Sequence, residues 1–189
     1  MRIGDTLIQT WRMIVAARWI PKDSRLLDIG CHQGEFLDFL GNRIAPSVGI
    51  DPLFAQTQTP SKHQFFSWKF ERTLPFPDGS FDAISLLATI EHLPNKPEIA
   101  GETWRLLRNG GRVVITVPSP LVDHLLSILI ALRIVDGMSL EEHHGFVPQE
   151  LPDVFKKAGF EIAAWKKFQF GLNNLFVFGK QGNTEHSKP

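Results

Sequence analysis

The sequence predicts an α/β fold: a doubly wound, mainly parallel sheet of seven strands whose last strand runs antiparallel. Three observations carry this. Short apolar runs alternate with helix-like segments along the chain, the pattern of parallel strands joined by crossover helices. The first two runs, Leu26-Leu27-Asp28-Ile29 and Val48-Gly49-Ile50-Asp51, are separated by one glycine-bracketed turn and one helix. The chain then finishes on two strand-like runs, residues 160–170 and 175–179, with only residues 171–174 between them. So short a link makes a hairpin at one sheet edge and leaves no room for a crossover helix.

Each element follows in order. Residues 3–20 form an amphipathic helix with Leu7, Trp11, Ile14, Val15 and Trp19 near one face, and Pro21 stops it. Strand one covers 25–31, a helix 35–43, and strand two 48–51. Residues 52–61 are rich in Gln, Thr and Pro, so the second crossover is abbreviated or irregular. Strand three spans 63–70, and Pro75-Phe76-Pro77-Asp78-Gly79 is a turn cluster. Residues 81–88 make an apolar central strand, and residues 96–107 a helix with Asn109-Gly110-Gly111 as its stop signal. The fifth strand is 112–117, closed by Pro118 and Pro120. Residues 121–135 are helical and apolar almost all round, which suits a pocket lid, a dimer contact or plain core. A further helix at 148–158 ends at Gly159. Residues 1–181 are expected to be a single domain opening on the N-terminal helix, with 182–189 a polar, frayed tail.

Composition narrows the function. A chain of 189 residues suits one core, and 43% hydrophobic with 21% charged residues describes a globular protein. Twenty basic residues balance twenty acidic ones, so no global field recruits nucleic acid or an anionic surface. The single cysteine, Cys31, excludes an internal disulfide and fits a reducing compartment. Arg2, Asp5, Arg12 and Arg18 interrupt any signal-peptide core, and no apolar run approaches a bilayer span. The expected location is cytoplasmic. The expected partner is a small-molecule substrate, not nucleic acid, and a homodimer stays open.

The stretch Leu26-Leu27-Asp28-Ile29-Gly30-Cys31-His32-Gln33-Gly34-Glu35-Phe36 is the most informative. A buried strand ends near Asp28, and Gly30 and Gly34 bracket a tight turn that opens a helix, where a ligand can meet backbone amides. Asp51, at the tip of the second strand, is placed to accept hydrogen bonds from both hydroxyls of a ribose. Residues 26–36 and 48–52, followed by 74–82, Glu91-His92-Leu93 and 106–118, resemble the successive motifs of class I S-adenosylmethionine-dependent methyltransferases. The nearest branch acts on small molecules and includes the quinone-biosynthesis methyltransferases. The similarity runs from Ser24 to Pro118 and more loosely to Lys180.

The resemblance implies a Rossmann-like methyltransferase fold with S-adenosylmethionine as cofactor and S-adenosylhomocysteine as product. Asp28, Gly30, Cys31 and Gly34 would hold the methionine end. Asp51, Pro52 and Leu53 would hold the ribose and adenine. In many relatives an acid contacts the adenine amine where Phe70 stands here, so Glu71 substitutes or the contact is aromatic. The family usually has glycine at His32. Ala88 and Thr89 would line the pocket beside the reacting methyl group. His92 is a candidate general base, since an imidazole titrates near neutrality, with a bland alternative in which Glu91 and His92 organise the loop. Glu141-Glu142-His143-His144 follows the fifth strand, where relatives carry specificity insertions. His143 and His144 are candidate bases or substrate ligands, and sequence neighbours rarely converge on one metal ion, so no metal is expected.

The function these features favour is methyl transfer to a small, apolar or amphipathic acceptor by in-line displacement. A nicotinamide-dependent oxidoreductase would need glycines where His32 and Phe36 fall. A non-catalytic cofactor-binding partner protein is the other alternative.

Overall fold

The computed structural model describes residues 3–55, 61–70, 73–119 and 147–182. Helix α1 (Ile3–Ala17) leads to β1 (Leu26–Ile29), α2 (Glu35–Leu40) and β2 (Val48–Ile50). There follow β3 (Gln64–Phe66), β4 (Phe81–Leu87), α3 (Lys96–Leu106) and β5 (Leu107–Pro118). Helix α4 (Leu151–Lys157) precedes β6 (Glu161–Phe168) and β7 (Asn173–Gly179). The seven strands form one sheet in the order β3-β2-β1-β4-β5-β7-β6. The pairs from β3 to β5 are parallel, and β7 runs antiparallel to both β5 and β6. The last strand is therefore the reversed one, as expected, and the terminal hairpin lies at one edge. Within the hairpin β7 takes the inner place because it is buried along its length. β6 is mostly exposed and carries Lys166 and Lys167 at the rim.

Alternating strand residues supply two apolar layers. On one face Leu27, Ile29, Ile84, Leu86, Val113, Ile115, Phe176 and Phe178 pack with Ile99, Ala100 and Leu106 of α3 and Leu151 and Phe155 of α4. On the other, Leu26, Ala83, Val114, Leu175 and Val177 meet Ala16 and Ala17 of α1 and Phe36, Leu37 and Leu40 of α2. From β1 the chain winds outward through β2 and β3, then crosses to β4 on β1's other side. That reversal opens a crevice beyond the C-terminal ends of β1 and β4, where open α/β sheets bind ligands.

Several boundaries differ from expectation. The stop signal Asn109-Gly110-Gly111 lies inside β5, where the pairing with β4 jumps between Phe81↔Leu107 and Ala83↔Arg112. Lys180 stabilises this bulge by exchanging backbone hydrogen bonds with Gly110 and Gly111, each at 2.9 Å. β3 has three residues only, because the chain past Phe66 stacks Trp68 on the Phe66 ring, centroids 4.1 Å apart, and then buries Phe70. α1 stops at Ala17, and it presents Leu7, Trp11 and Ile14 to solvent while Ala16, Ala17 and Ile20 enter the core. The apolar segment 121–135 lies outside the described residues.

Candidate active site

The loop after β1 is built around left-handed backbone: φ is 75° at Gly30, 49° at His32 and 95° at Gly34. A Cβ on Gly30 would stand 2.3 Å from Thr89 Oγ1, and one on Gly34 would stand 2.6 Å from the Phe65 ring. Neither approach is compatible with a side chain, so both positions require glycine. His32 adopts the same left-handed conformation with a side chain present, at a cost of about 1–2 kcal/mol. Its ring turns outward, with Nδ1 2.7 Å from Glu35 Oε1, and so stays clear of the turn. Asp51 ties the loop to the tip of β2. Its Oδ2 accepts the His32 N–H at 2.9 Å, and its Oδ1 accepts the Leu53 N–H at 2.7 Å.

A cavity of about 460 Å³ occupies the crevice, within the usual range of about 300–1,000 Å³ for small-ligand sites. Asp28, Gly30, Cys31, Asp51, Pro52, Leu53, Phe70, Ala88, Thr89 and His92 all line it. Of the other candidates, Gly34 is not on the wall and serves the packing against Phe65. Glu71, His143 and His144 lie outside the described residues. Among the wall residues that were not anticipated are Gln9, Arg12 and Met13 from α1, and Trp68. The three α1 positions are spaced as one helical face, and α1 packs on β4 and β5. The only available signal was Arg12, the one arginine within α1. Ala88 closes β4 with φ of 54°, a left-handed value that a residue with a Cβ rarely adopts away from functional loops.

The wall carries both acidic and basic groups. Asp28 is 3% exposed, and burial pushes its carboxyl up to about 7, with the Glu35 and Asp51 charges adding to the effect. Ser85 Oγ donates to Asp28 Oδ1 at 2.6 Å and opposes that shift. Burial, and then the charges of Asp28 and Asp51, raise the Cys31 thiol, so no thiolate forms near neutrality and Cys31 is a wall atom, not a nucleophile. Arg12 also lines the cavity, within reach of the Glu91 charge. Burial lowers its pKa while Glu91 opposes this, and its Nε is buried without a hydrogen-bond partner. Glu91 is itself buried, pushed up to about 7 by desolvation, and its Oε2 has no partner. A cavity that holds an unpartnered guanidinium N–H together with two carboxylates suits a ligand that carries both charges and hydroxyl groups.

In comparisons with known proteins, the family described as Methyltransferase domain matches residues 5–164. A ubiquinone biosynthesis O-methyltransferase of Nitrosococcus oceani is 27% identical over 175 residues, covering 86% of this chain and 74% of the relative. A ubiquinone/menaquinone biosynthesis C-methyltransferase of Campylobacter jejuni is 24% identical over 195 residues, covering 88% of this chain and 83% of the relative. Among solved structures, an S-adenosylmethionine dependent methyltransferase from Mesorhizobium loti matches with a TM-score of 0.66 at 15% identity. That match covers 88% of this chain and 96% of the other, a likeness of fold.

Proposed function

The chain belongs to the methyltransferase domain family, and from that premise we propose that its cavity takes S-adenosylmethionine and passes the methyl group to a small, apolar or amphipathic acceptor. The observation that carries this reading is the set of charged groups on the wall: Asp28 and Asp51 together with the buried Arg12 Nε, which has no hydrogen-bond partner. The cofactor's methionine end is a zwitterion and its ribose a diol. Each of these groups finds its complement among these three side chains.

Asp51 spends one lone pair of each oxygen on the loop and keeps others for the ribose hydroxyls. Asp28 would ionise against an ammonium group, and the Arg12 N–H would donate to a carboxylate. Leu53, Trp68 and Phe70 offer an apolar and aromatic wall to a flat base. When bound, the cofactor supplies an electrophilic methyl group on a sulfonium centre. The protein's part is then to position and to exclude water, and orientation alone supplies about 7–11 kcal/mol in favourable cases. Thr89 and Ala88, at the end of β4, shape the space where the acceptor approaches. His92 stands on the same wall and would remove a proton from acceptors that must lose one.

Apolar wall residues such as Met13, Phe36, Leu87 and Leu93 support a weakly polar acceptor. The quinone-biosynthesis roles of the two relatives support the same class. Incubation of the protein with methyl-labelled S-adenosylmethionine and fractionated cell extract tests the reading. Label should appear in a low-mass product that partitions into organic solvent. Label confined to RNA or DNA, or none in any fraction, would overturn the acceptor assignment.

A further inference from the structure

We infer that the outward face of α1, together with the turn that carries Phe170, docks onto an anionic lipid bilayer. Leu7, Trp11, Ile14 and Arg18 recur at spacings of four, three and four residues, which places them along one line on or just past the helix. All four are exposed, Leu7 by 67%, and Ile8 flanks them at 50%. A helix in a globular fold ordinarily turns its largest apolar residues inward. Here Ala16 and Ala17 are buried and Met13, Val15 and Trp19 only partly so, while Leu7, Ile8, Trp11 and Ile14 face solvent.

Phe170 extends the same patch. It is 94% exposed, and its ring meets Trp11 edge-on with centroids 5.9 Å apart. The turn that holds it out is strained, with φ of 51° at Gln169 and 57° at Phe170, where residues with a Cβ are rarely found. Buried Gln169 locks the strain in place. Its Nε2 donates to the Ile8 carbonyl at 2.8 Å, and its Oε1 accepts from Asn173. The turn and the helix therefore form one rigid apolar surface, and rigidly displayed aromatic rings at a surface mark an interaction site.

Charge selects the occupant. Arg18 continues the stripe, and the Lys166 ammonium sits 5.3 Å over the ring of Trp19 beside it, so one end of the patch is cationic. An interfacial helix combines these same parts: Leu and Trp at acyl depth and basic residues against anionic headgroups. A second copy of the chain fits less well. Stable dimers use roughly 800 Å² and about 20–30 residues on each side, whereas this is a narrow stripe on a convex helix. No helix among the described residues is long and apolar enough to cross a membrane, so the contact is with the surface of the bilayer. Because Gln9, Arg12 and Met13 of the same helix line the cavity, docking brings the cavity mouth toward the lipid. That last consequence, unlike the docking itself, rests on the methyl-transfer reading.

Vesicle flotation tests the inference with the full chain. The wild-type protein should float with vesicles of phosphatidylcholine mixed with phosphatidylglycerol, and much less with phosphatidylcholine alone. The double variant Leu7→Asp/Phe170→Asp alters two of the most exposed apolar side chains and should keep the wild-type melting temperature while losing about tenfold or more in vesicle affinity. Arg18→Glu should weaken binding to the anionic vesicles only. Titration of each variant with S-adenosylhomocysteine runs alongside, because failure of that binding would speak against the cavity and leave the docking result to stand by itself. Absence of flotation, indifference to lipid charge, full binding by the double variant, or a dimer that the double variant dissociates without any vesicle binding would each overturn the inference.

Discussion

Asp51 shows how one carboxylate serves both fold and site. It holds the His32 and Leu53 N–H groups and stands on the cavity wall. Hydrogen bonds to a charged group are worth about 1.5–3 kcal/mol each, so Asp51→Ala should weaken S-adenosylhomocysteine binding at least about tenfold by calorimetry. An unchanged dissociation constant in a folded variant would place the diol elsewhere. Asp28 carries a pH signature. Its folded-state pKa of about 7 lies above the ordinary 3.8, so the fold binds the extra proton between those values and loses stability as pH rises through that window. Ligand binding should respond in the opposite sense. An ammonium group prefers the ionised acid, so cofactor affinity should rise as pH climbs through about 7, and Asp28→Asn should flatten that rise. Both acids were legible in the sequence because each sits at a strand end whose apolar run announces it. The tolerance of His32 for a left-handed backbone was not legible, since it depends on Glu35 drawing the ring outward.

At the scale of single elements, α1 departs furthest from what the sequence suggests. Of the apolar face Leu7, Trp11, Ile14, Val15 and Trp19, the first three stay exposed and the last two are partly buried, while the small residues Ala16 and Ala17 share the core cluster of Val114 and Val177. Periodicity identifies a face but not the direction it turns, and that direction is set by how closely the helix must approach the strands. The same rotation brings Arg12 to the cavity, which no local pattern foretells. A buried donor without a partner costs about 1–3 kcal/mol. Arg12→Met should therefore leave thermal stability unchanged or raised while cofactor affinity falls about tenfold. A variant that melts lower and binds normally would make Arg12 a structural residue. The bulge in β5 was hidden for a related reason. Asn-Gly-Gly after a helix is a stop signal by local chemistry, but here Lys180 at the far end of the chain pairs with both glycines and draws them into the strand.

For the whole molecule, the alternation of apolar runs and helices made the doubly wound sheet and its reversed last strand legible. Sequence order could not show that β7 lies between β5 and β6. That placement follows from seven buried or nearly buried positions in β7 against an exposed β6. The crevice at the strand reversal between β1 and β4 collects side chains from α1, the first two strand ends and the end of β4 into one cavity. Whether this cavity takes S-adenosylmethionine is decided by calorimetric titration of the purified chain with S-adenosylhomocysteine and with NAD. S-adenosylhomocysteine should bind saturably and one-to-one, and NAD should give no heat beyond dilution. Saturable NAD binding with no response to S-adenosylhomocysteine would contradict the proposed cofactor.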